Sequence, residues 1–575
     1  MPQNQFAYRS SKTLGIVNVD DNYSPVAGFA APTDPVRTSC YSKNGKFFAF
    51  ATAKTAVIVN PTTGSVVSSL AVENVYEMGF SPLGSYISTW ERPSKDQDGN
   101  QKKNMKIWST ATGELLFEFV QRNQTGWNVQ YTYDESIVAR LVTNEVHFYE
   151  AGKMAKGPLY KLRVEGLTDF ALSPGQNHAV AVFVPERKGA PAIVRTYNIP
   201  SFNTPVSQKT FFKADKVQFK WNTLGTSLLV LAQTEVDRSN KNYYGETNLY
   251  LLGIAGQYDC RVDLDREGPI HDVSWSSNSK EFGVVYGYMP AKTAIFDNRA
   301  NIVTTLPSAP RNTLLFSPNA RYVMLAGFGN LQGSIDIYDS YDNMRKLATV
   351  EAANTTHCEF SPESEFLLTS VTSPRLRVDN SIKIWHITGK PMFYQEFNEL
   401  YQVTWRPKPS AAPVTFGRTG TLTIPAPPQP HESAAKLASK PVIKATGAYR
   451  PPGARGQVSS VSQRMRELDV LGSSASSKPY SVKKERVVPG ATPIVEKKNG
   501  KQKKQNNGTK AGANAPAEVS DEKKIRSLCK KLRAIDELKA RLANGEKLEV
   551  TQIKKIETEP KVLADLKALG WSPDA

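Results

Sequence analysis

The strongest constraint on this chain is a phrase that keeps returning. Phe316-Ser317-Pro318-Asn319-Ala320-Arg321 leads into the apolar run Tyr322-Val323-Met324-Leu325, and then into Ile335-Asp336-Ile337-Tyr338-Asp339. An aromatic is followed by a turn of Ser, Pro, Asn or Gly, then by an apolar strand, then by a second strand ending in an aromatic. The same order stands at Phe80-Ser81-Pro82-Leu83-Gly84 with Ile107-Trp108, and at Phe360-Ser361-Pro362 with Ile384-Trp385. Weaker copies open at Tyr41, Tyr131, Leu172, Trp221, Trp275 and Trp405, which makes nine openings. They lie roughly 40 to 54 residues apart, the spacing of four-stranded propeller blades.

The strands inside the phrase are short, rich in Val, Ile, Phe and Tyr, and bounded by turn residues. One four-stranded blade cannot bury its own faces, so blades must stack around an axis until the ring closes. The expected fold is therefore all-β, a WD-type β-propeller of nine blades, with eight as the alternative. Trp108, Trp275 and Trp385 are expected to pack in the core between blades. Ring closure should bring Thr13-Leu14-Gly15-Ile16-Val17-Asn18-Val19 into the sheet opened at Gln402-Val403-Thr404-Trp405.

Charge divides the chain. Residues 411–575 hold 31 Lys and Arg against 16 Asp and Glu, a surplus of 15 out of the net +18. The propeller is nearly neutral and the tail is basic, which points to an acidic partner such as nucleic acid, a ribosome-like particle or an anionic membrane. At 575 residues the chain exceeds a single ordinary core. Cys40, Cys260, Cys358 and Cys529 are too scattered for a disulfide framework or a zinc site, which fits a reducing compartment. The N-terminus Met1-Pro2-Gln3-Asn4-Gln5 is polar, so no secretory signal is expected. No run of about 18 apolar residues occurs, so no membrane span is expected.

The expected domains are a propeller over residues 1–410, a basic linker rich in Pro, Ala, Ser and Lys over 411–517, and a helical segment over 518–575. Two polar stretches inside the propeller, Asp96–Lys103 and Asp237–Asn242, read as exposed hairpin loops. Each is either simply solvated or a contact site. The linker cannot bury enough apolar area to offset the entropy of ordering, so disorder is expected there. Its densest basic run holds Lys497, Lys498, Lys501, Lys503 and Lys504. That run reads equally as a solvated patch and as a site of phosphate contact through counterion release.

Helical order should return near Ser520, an N-cap followed by Asp521 and Glu522. Ile525, Leu528, Leu532, Ile535, Leu538 and Leu542 form one apolar stripe, closed by Asn544-Gly545. Lys523, Lys524, Arg526, Lys530, Lys531 and Arg533 crowd the first half of this helix off the stripe and are candidate RNA or ribosome contacts. A second helical segment carries Ile553 and Ile556. A third starts at Thr558-Glu559-Pro560 and carries Leu563, Leu566 and Leu569. Helices this short either pack into a hairpin or fold on a partner.

Signs of catalysis are missing. There is no phosphate loop of the Gly-x-x-x-x-Gly-Lys-Ser/Thr type. Gly327–Gly333 misses the dinucleotide spacing and reads as a hairpin between two propeller strands. The histidines at 147, 178, 271, 357, 386 and 431 lack metal-ligand spacing. The chain reads as a non-enzyme with no cofactor.

The tail then carries a family resemblance. Gly447-Ala448-Tyr449-Arg450-Pro451-Pro452-Gly453-Ala454-Arg455-Gly456 resembles the linker signature of the eukaryotic translation initiation factor 2A family. Arg541–Leu548 followed by Gln552–Glu557 resembles that family's C-terminal helices, a segment with a counterpart in a ribosome-associated partner of the exon-junction machinery. Propeller, basic linker and helices also stand in the family's order. The resemblance implies a cytoplasmic, monomeric factor that binds the small ribosomal subunit and mRNA and works beside other initiation factors. It implies codon-dependent, GTP-independent delivery of initiator methionyl-tRNA, including alternative and non-AUG initiation, with no membrane partner. In that setting the lysines of 497–504 would meet phosphates, and Arg455 is a further candidate contact. Tyr449 and Arg450 either stack on bases or belong to a flexible tether.

Two alternatives stand beside it. One is a propeller scaffold subunit of a translation initiation complex, like subunit b of eukaryotic initiation factor 3. That family carries an RNA-recognition domain for which there is no room before Tyr41. The other is a protein-only WD-repeat adaptor, whose binding would respond weakly to salt where phosphate contacts respond steeply.

Overall fold

In the computed structural model the described residues are 4–187, 189–234, 245–254, 258–408 and 423–438. Toward the end of the chain they are 532, 535, 536, 539, 553, 556, 558–560, 563 and 564. The chain forms two compact units, residues 1–455 and 456–575.

The first unit is a nine-bladed β-propeller, each blade a four-stranded antiparallel sheet. Blade 1 spans residues 38–70, blade 2 75–119, blade 3 130–163, blade 4 169–211 and blade 5 216–261. Blade 6 spans 270–309, blade 7 313–351 and blade 8 357–396. All nine opening residues of the repeated phrase occupy one position: Tyr41, Phe80, Tyr131, Leu172, Trp221, Trp275, Phe316, Phe360 and Trp405 each end the first strand of a blade. First strands of neighbouring blades touch, as Thr38–Tyr41 does Val75–Phe80 and His357–Phe360 does Leu400–Trp405, so these strands line the axis.

Blade 9 closes the ring with strands from both ends of the unit, in the order Ser24–Pro25, Leu14–Asn18, Gln5–Ser10, Leu400–Trp405. The sequence put Thr13–Val19 in this sheet, where Leu14–Asn18 indeed lies. The strand that pairs with Leu400–Trp405, however, is Gln5–Ser10, with Phe6 opposite Trp405 and Tyr8 opposite Val403. Gln5, read as part of a polar terminus, is buried instead. Its amide donates to Asn18 Oδ1 at 2.8 Å and to the Pro61 carbonyl at 2.9 Å, so a buried polar side chain is satisfied.

The core is distributed. Nine apolar clusters lie one at each blade junction: Ile58, Val75, Ile87 and Trp108 between blades 1 and 2, for example, and Phe6, Leu368, Ile384 and Trp405 between blades 8 and 9. Trp108 and Trp385 are core residues whose indole N–H groups donate to Thr89 and Thr369 at 2.9 and 3.0 Å. Trp275 is only half-buried, packed on the edge of the blade 5–6 cluster while its indole donates to the Lys220 carbonyl at 2.8 Å.

The turns between first and second strands also explain why the phrase is polar. Around the ring each such turn reaches the next. Arg406 Nε donates to the Gly45 carbonyl at 2.7 Å, and Asn44 to the Leu83 carbonyl. The Leu83 and Gly84 amides donate to Glu135 at 2.6 and 3.0 Å, and Asp134 faces His178 at 3.1 Å. Ser173 donates to the Gly225 carbonyl (3.1 Å), Leu224 N–H to Ser279 (3.1 Å) and Ser277 to the Ser317 carbonyl (2.9 Å). Asn319 N–H donates to Ser364 (3.0 Å), and Lys408 pairs with Glu363.

The fourth residue after the opening aromatic takes a left-handed backbone in most of these turns: Gly45, Gly84, Glu135, Gly225, Ser279, Ala320 and Ser364. At Gly45 a Cβ would stand 1.9 Å from the Pro407 carbonyl oxygen, so glycine is required. Where Glu135, Ser279 or Ser364 holds the slot, its side chain accepts from the turn of the preceding blade. That contact offsets the cost of a left-handed non-glycine residue.

The loops around residues 95–101 and 327–333 are hairpin connections as expected, whereas Asp237–Asn242 lies outside the described residues. Residues 423–438, expected to be part of a disordered linker, instead pack on blade 8. The His431 amide donates to the Met392 carbonyl at 3.0 Å, and the Tyr394 amide to Ser433 Oγ at 3.1 Å. Ile424 and Leu437 pack on the blade 7–8 cluster, and Ala434 is buried. The strap owes its order to the outer strand Pro391–Glu396, an edge with unpaired backbone groups that it covers.

In the second unit Leu532, Ile535, Asp536 and Lys539 are helical, as are Ile553 and Ile556, and Glu559, Pro560, Leu563 and Ala564. These positions fall in the three expected helical segments. Ile535 of the predicted stripe is buried, and Lys539 pairs with Glu559, tying the first segment to the third.

Candidate functional site

The opposite face of the propeller, where second strands turn into third strands and each blade links to the next, is the more varied. Here the first strands begin, at the rim of the central channel. The slot four residues before the opening aromatic holds Tyr401 in blade 9, Arg37 at the start of blade 1, Tyr76 in blade 2 and Trp127 before blade 3. The other five blades hold Thr168, Val217, His271, Asn312 and Thr356 there.

These residues and their neighbours form a ladder of guanidinium groups and rings. The Arg9 guanidinium lies 5.2 Å from the centre of the Tyr401 ring, and Arg9 Nη1 donates to the Val36 carbonyl at 3.3 Å. Next along the chain, Arg37 stands 5.4 Å from the Tyr76 ring and donates to Asn74 Oδ1 at 2.9 Å. Arg92 lies over the same Tyr76 ring at 4.2 Å. Such cation–π contacts are worth about 0.5–1 kcal/mol at exposed sites. At the far end, Tyr401 donates to Glu399 at 2.8 Å, which pushes its phenol pKa up, while Arg9 and Arg377 oppose the shift. Burial pulls the Arg9 pKa down, with Tyr401 opposing.

The neighbouring loops are basic. Lys12, Arg375, Arg377 and Lys102 are exposed, and within the described residues none of them, nor Arg92, forms an ion pair with a carboxylate. Across the ring the links of blades 5 and 6 carry Glu246, Asp263, Asp265 and Glu267. Glu246, Asp265 and Glu267 border a cleft of about 590 Å³. Three of its charges are engaged: Glu246 pairs with Lys213, Asp265 is held below the usual carboxylate range by hydrogen bonds from Lys292 and Tyr286, and Arg266 donates to the Pro290 carbonyl at 2.9 Å.

All fourteen sequence candidates (Tyr449, Arg450, Arg455, Lys497, Lys498, Lys501, Lys503, Lys504, Lys523, Lys524, Arg526, Lys530, Lys531 and Arg533) lie outside the described residues. The ladder escaped the sequence reading because its members are spread from Arg9 to Tyr401. Aligning the nine phrases on their aromatics and reading the slot four residues earlier is the signal that finds it. Among the described residues no group of three or more His, Cys, Asp or Glu could hold a metal ion. Cys40, Cys260 and Cys358 are free thiols. No described helix is long and apolar enough to cross a membrane.

Comparison with known proteins fits this architecture. Residues 209–403 match the family described as eukaryotic translation initiation factor eIF2A, and residues 523–569 match its C-terminal domain. Eukaryotic translation initiation factor 2A of Schizosaccharomyces pombe is 68% identical over 573 residues, covering 100% of both chains. The Saccharomyces cerevisiae protein of the same name is 35% identical over 94% of this chain and 95% of its own. A solved crystal structure of a eukaryotic initiation factor, 68% identical, superposes with a TM-score of 0.67 over 71% of this chain and 99% of that one. With full-length identity and both family regions in place, the chain belongs to the eukaryotic translation initiation factor 2A family and has the role of a translation initiation factor.

Proposed function

We propose that this factor works in the cytoplasm on the small ribosomal subunit, where it promotes codon-dependent delivery of initiator methionyl-tRNA without GTP, including at alternative and non-AUG starts. The observation that carries the reading is the match to a named initiation factor along the entire chain, tail included. The division of labour follows from charge. The propeller, braced at every blade junction, is a rigid docking platform. The linker over 411–517 and the helices over 518–575 supply the basic surplus and meet RNA phosphates through residues such as Lys497, Lys498, Lys501, Lys503 and Lys504. Tyr449, Arg450 and Arg455 extend that contact along the linker. The helical segments, with Ile535 buried and Lys539 paired with Glu559, form an end piece that contacts the ribosome or another factor.

Co-sedimentation with purified small subunits across a salt series tests the docking step. Binding that falls steeply with ionic strength is the expected result. Retention of initiator methionyl-tRNA on the subunit, with and without an AUG codon and with and without GTP, tests the delivery step. The expected pattern is a need for the codon and indifference to GTP. Failure of the protein to pellet with subunits at low salt overturns the proposal.

A further inference from the structure

We infer that the channel rim over blades 9, 1, 2 and 3 binds single-stranded RNA, with Tyr401, Tyr76 and the half-buried Trp127 as stacking surfaces and the arginines between them meeting phosphates. The inference rests on the reading of the chain as a translation factor, and it adds a contact on the propeller that the charge of the tail does not supply.

Three observations carry it. The first is composition by position. In four consecutive blades the same structural slot holds Tyr, Arg, Tyr and Trp, and in the other five it holds Thr, Val, His, Asn and Thr. The large flat groups therefore form one arc of the rim. The second is the alternation of ring and guanidinium, with Arg92 at 4.2 Å and Arg37 at 5.4 Å from one tyrosine. Unpaired bases stack on aromatic rings and on guanidinium planes alike, so such an array takes successive bases without reading their sequence. An acidic peptide would need the charges but not the rings. The third is the field. Exposed Lys12, Arg375, Arg377 and Lys102 stand on the ladder's side without carboxylate partners among the described residues, and Glu246, Asp263, Asp265 and Glu267 stand on the other. The arc of the ladder thus offers a polyanion cations without carboxylate partners among the described residues, whereas on the other arc Glu246 and Asp265 are paired with Lys213 and Lys292. A duplex would leave the rings unused, because its bases are already stacked.

The test uses the full-length protein with an unstructured oligoribonucleotide carrying 4-thiouridine. Ultraviolet crosslinking is followed by mapping of the modified peptides. Crosslinks are expected on the peptides that contain Tyr76, Trp127 and Tyr401. In the double variant R92E/R377E they should fall about tenfold, the size of one lost stacking contact, while crosslinks beyond residue 440 persist. Both arginines are exposed. Should that variant not fold, K12E/R375E, also on exposed loops of the same arc, makes the same test. Crosslinks confined to the tail, or rim crosslinks unchanged in the folded variant, overturn the inference. So does a variant that loses subunit binding without any rim crosslink in the wild type, since the face would then contact protein. Sedimentation with small subunits separates the two readings: wild-type binding without rim crosslinks sinks the ladder alone, and rim crosslinks without subunit binding sink the proposed function alone.

Discussion

The face that carries the first-to-second turns and the face that carries the arginine–tyrosine ladder are made by opposite ends of the same strands, yet they tolerate different sequences. On the first, every blade must meet the next, and a polar contact closes each of the nine junctions. The first-to-second turns there are short and alike. On the second, connections range from the two residues between Val142 and Glu145 to the long loop between Glu91 and Met105, and charge varies by arc. Repetition marks the face that holds the ring together, and departure from repetition marks the face open to a partner.

The contrast can be broken by substitution. The largest loss is expected at Asp339, whose carboxylate takes bonds from Arg321 at 2.7 and 3.1 Å with both side chains buried. Asp339→Ala removes the carboxylate that faces the buried Arg321 guanidinium and should cost about 3–5 kcal/mol in urea denaturation. A loss below about 1 kcal/mol would show that the turn face is not where stability is concentrated. Next comes Glu135→Ala, which removes the acceptor for two amides of blade 2 but keeps the left-handed backbone. A loss of about 1.5–3 kcal/mol is expected.

A third effect appears only in acid. Burial, with Lys390 adding to it, lowers the pKa of His386 to about 4. The folded protein holds this ring neutral, and the unfolded chain protonates it near pH 6.5. The stability it contributes is therefore full above about pH 6.5 and is lost as the pH falls toward 4. The melting temperature of His386→Asn should depend less on pH between 7 and 5 than that of the wild type, and parallel curves would refute the assignment. Ala320→Gly relieves a left-handed alanine but removes a buried methyl, so the two effects nearly cancel and stability should change by less than about 1 kcal/mol. Comparably small is Arg92→Glu on the ladder face, expected to cost no more than about 1 kcal/mol, the size of its contact with the Tyr76 ring, although it sits in the candidate site. A large loss there would erase the distinction between the faces.

Much of the ring was legible because its physics is local. An aromatic, a turn and a strand recur at a fixed offset, and all nine openings mark the ends of inner strands. What was not legible depends on distant partners. Gln5 reads as the end of a polar terminus because the groups that satisfy it, Asn18 and the Pro61 carbonyl, belong to another strand and another blade. Residues 423–438 contain too few apolar side chains to predict order, which comes from the blade edge they cover. The ladder is assembled by ring closure, which sets Tyr401 beside Arg9. By contrast, the helical segments near the C-terminus were readable from their stripe and their proline alone.

Blade 9 also sets a timetable. Its strand Gln5–Ser10 is made about 390 residues before its partner Leu400–Trp405. At a synthesis rate of roughly 5–20 residues per second, the early strand waits about 20–80 s with one edge open. Eight blades can stack in sequence during that time, but the circle stays a gapped arc until the last inner strand arrives. Any chain released before Leu400 therefore carries a permanently bare sheet edge, the kind of surface that pairs with strangers. The closing blade thus records that synthesis has passed Trp405, and a prematurely ended copy of this factor is marked for aggregation or removal by the missing strand.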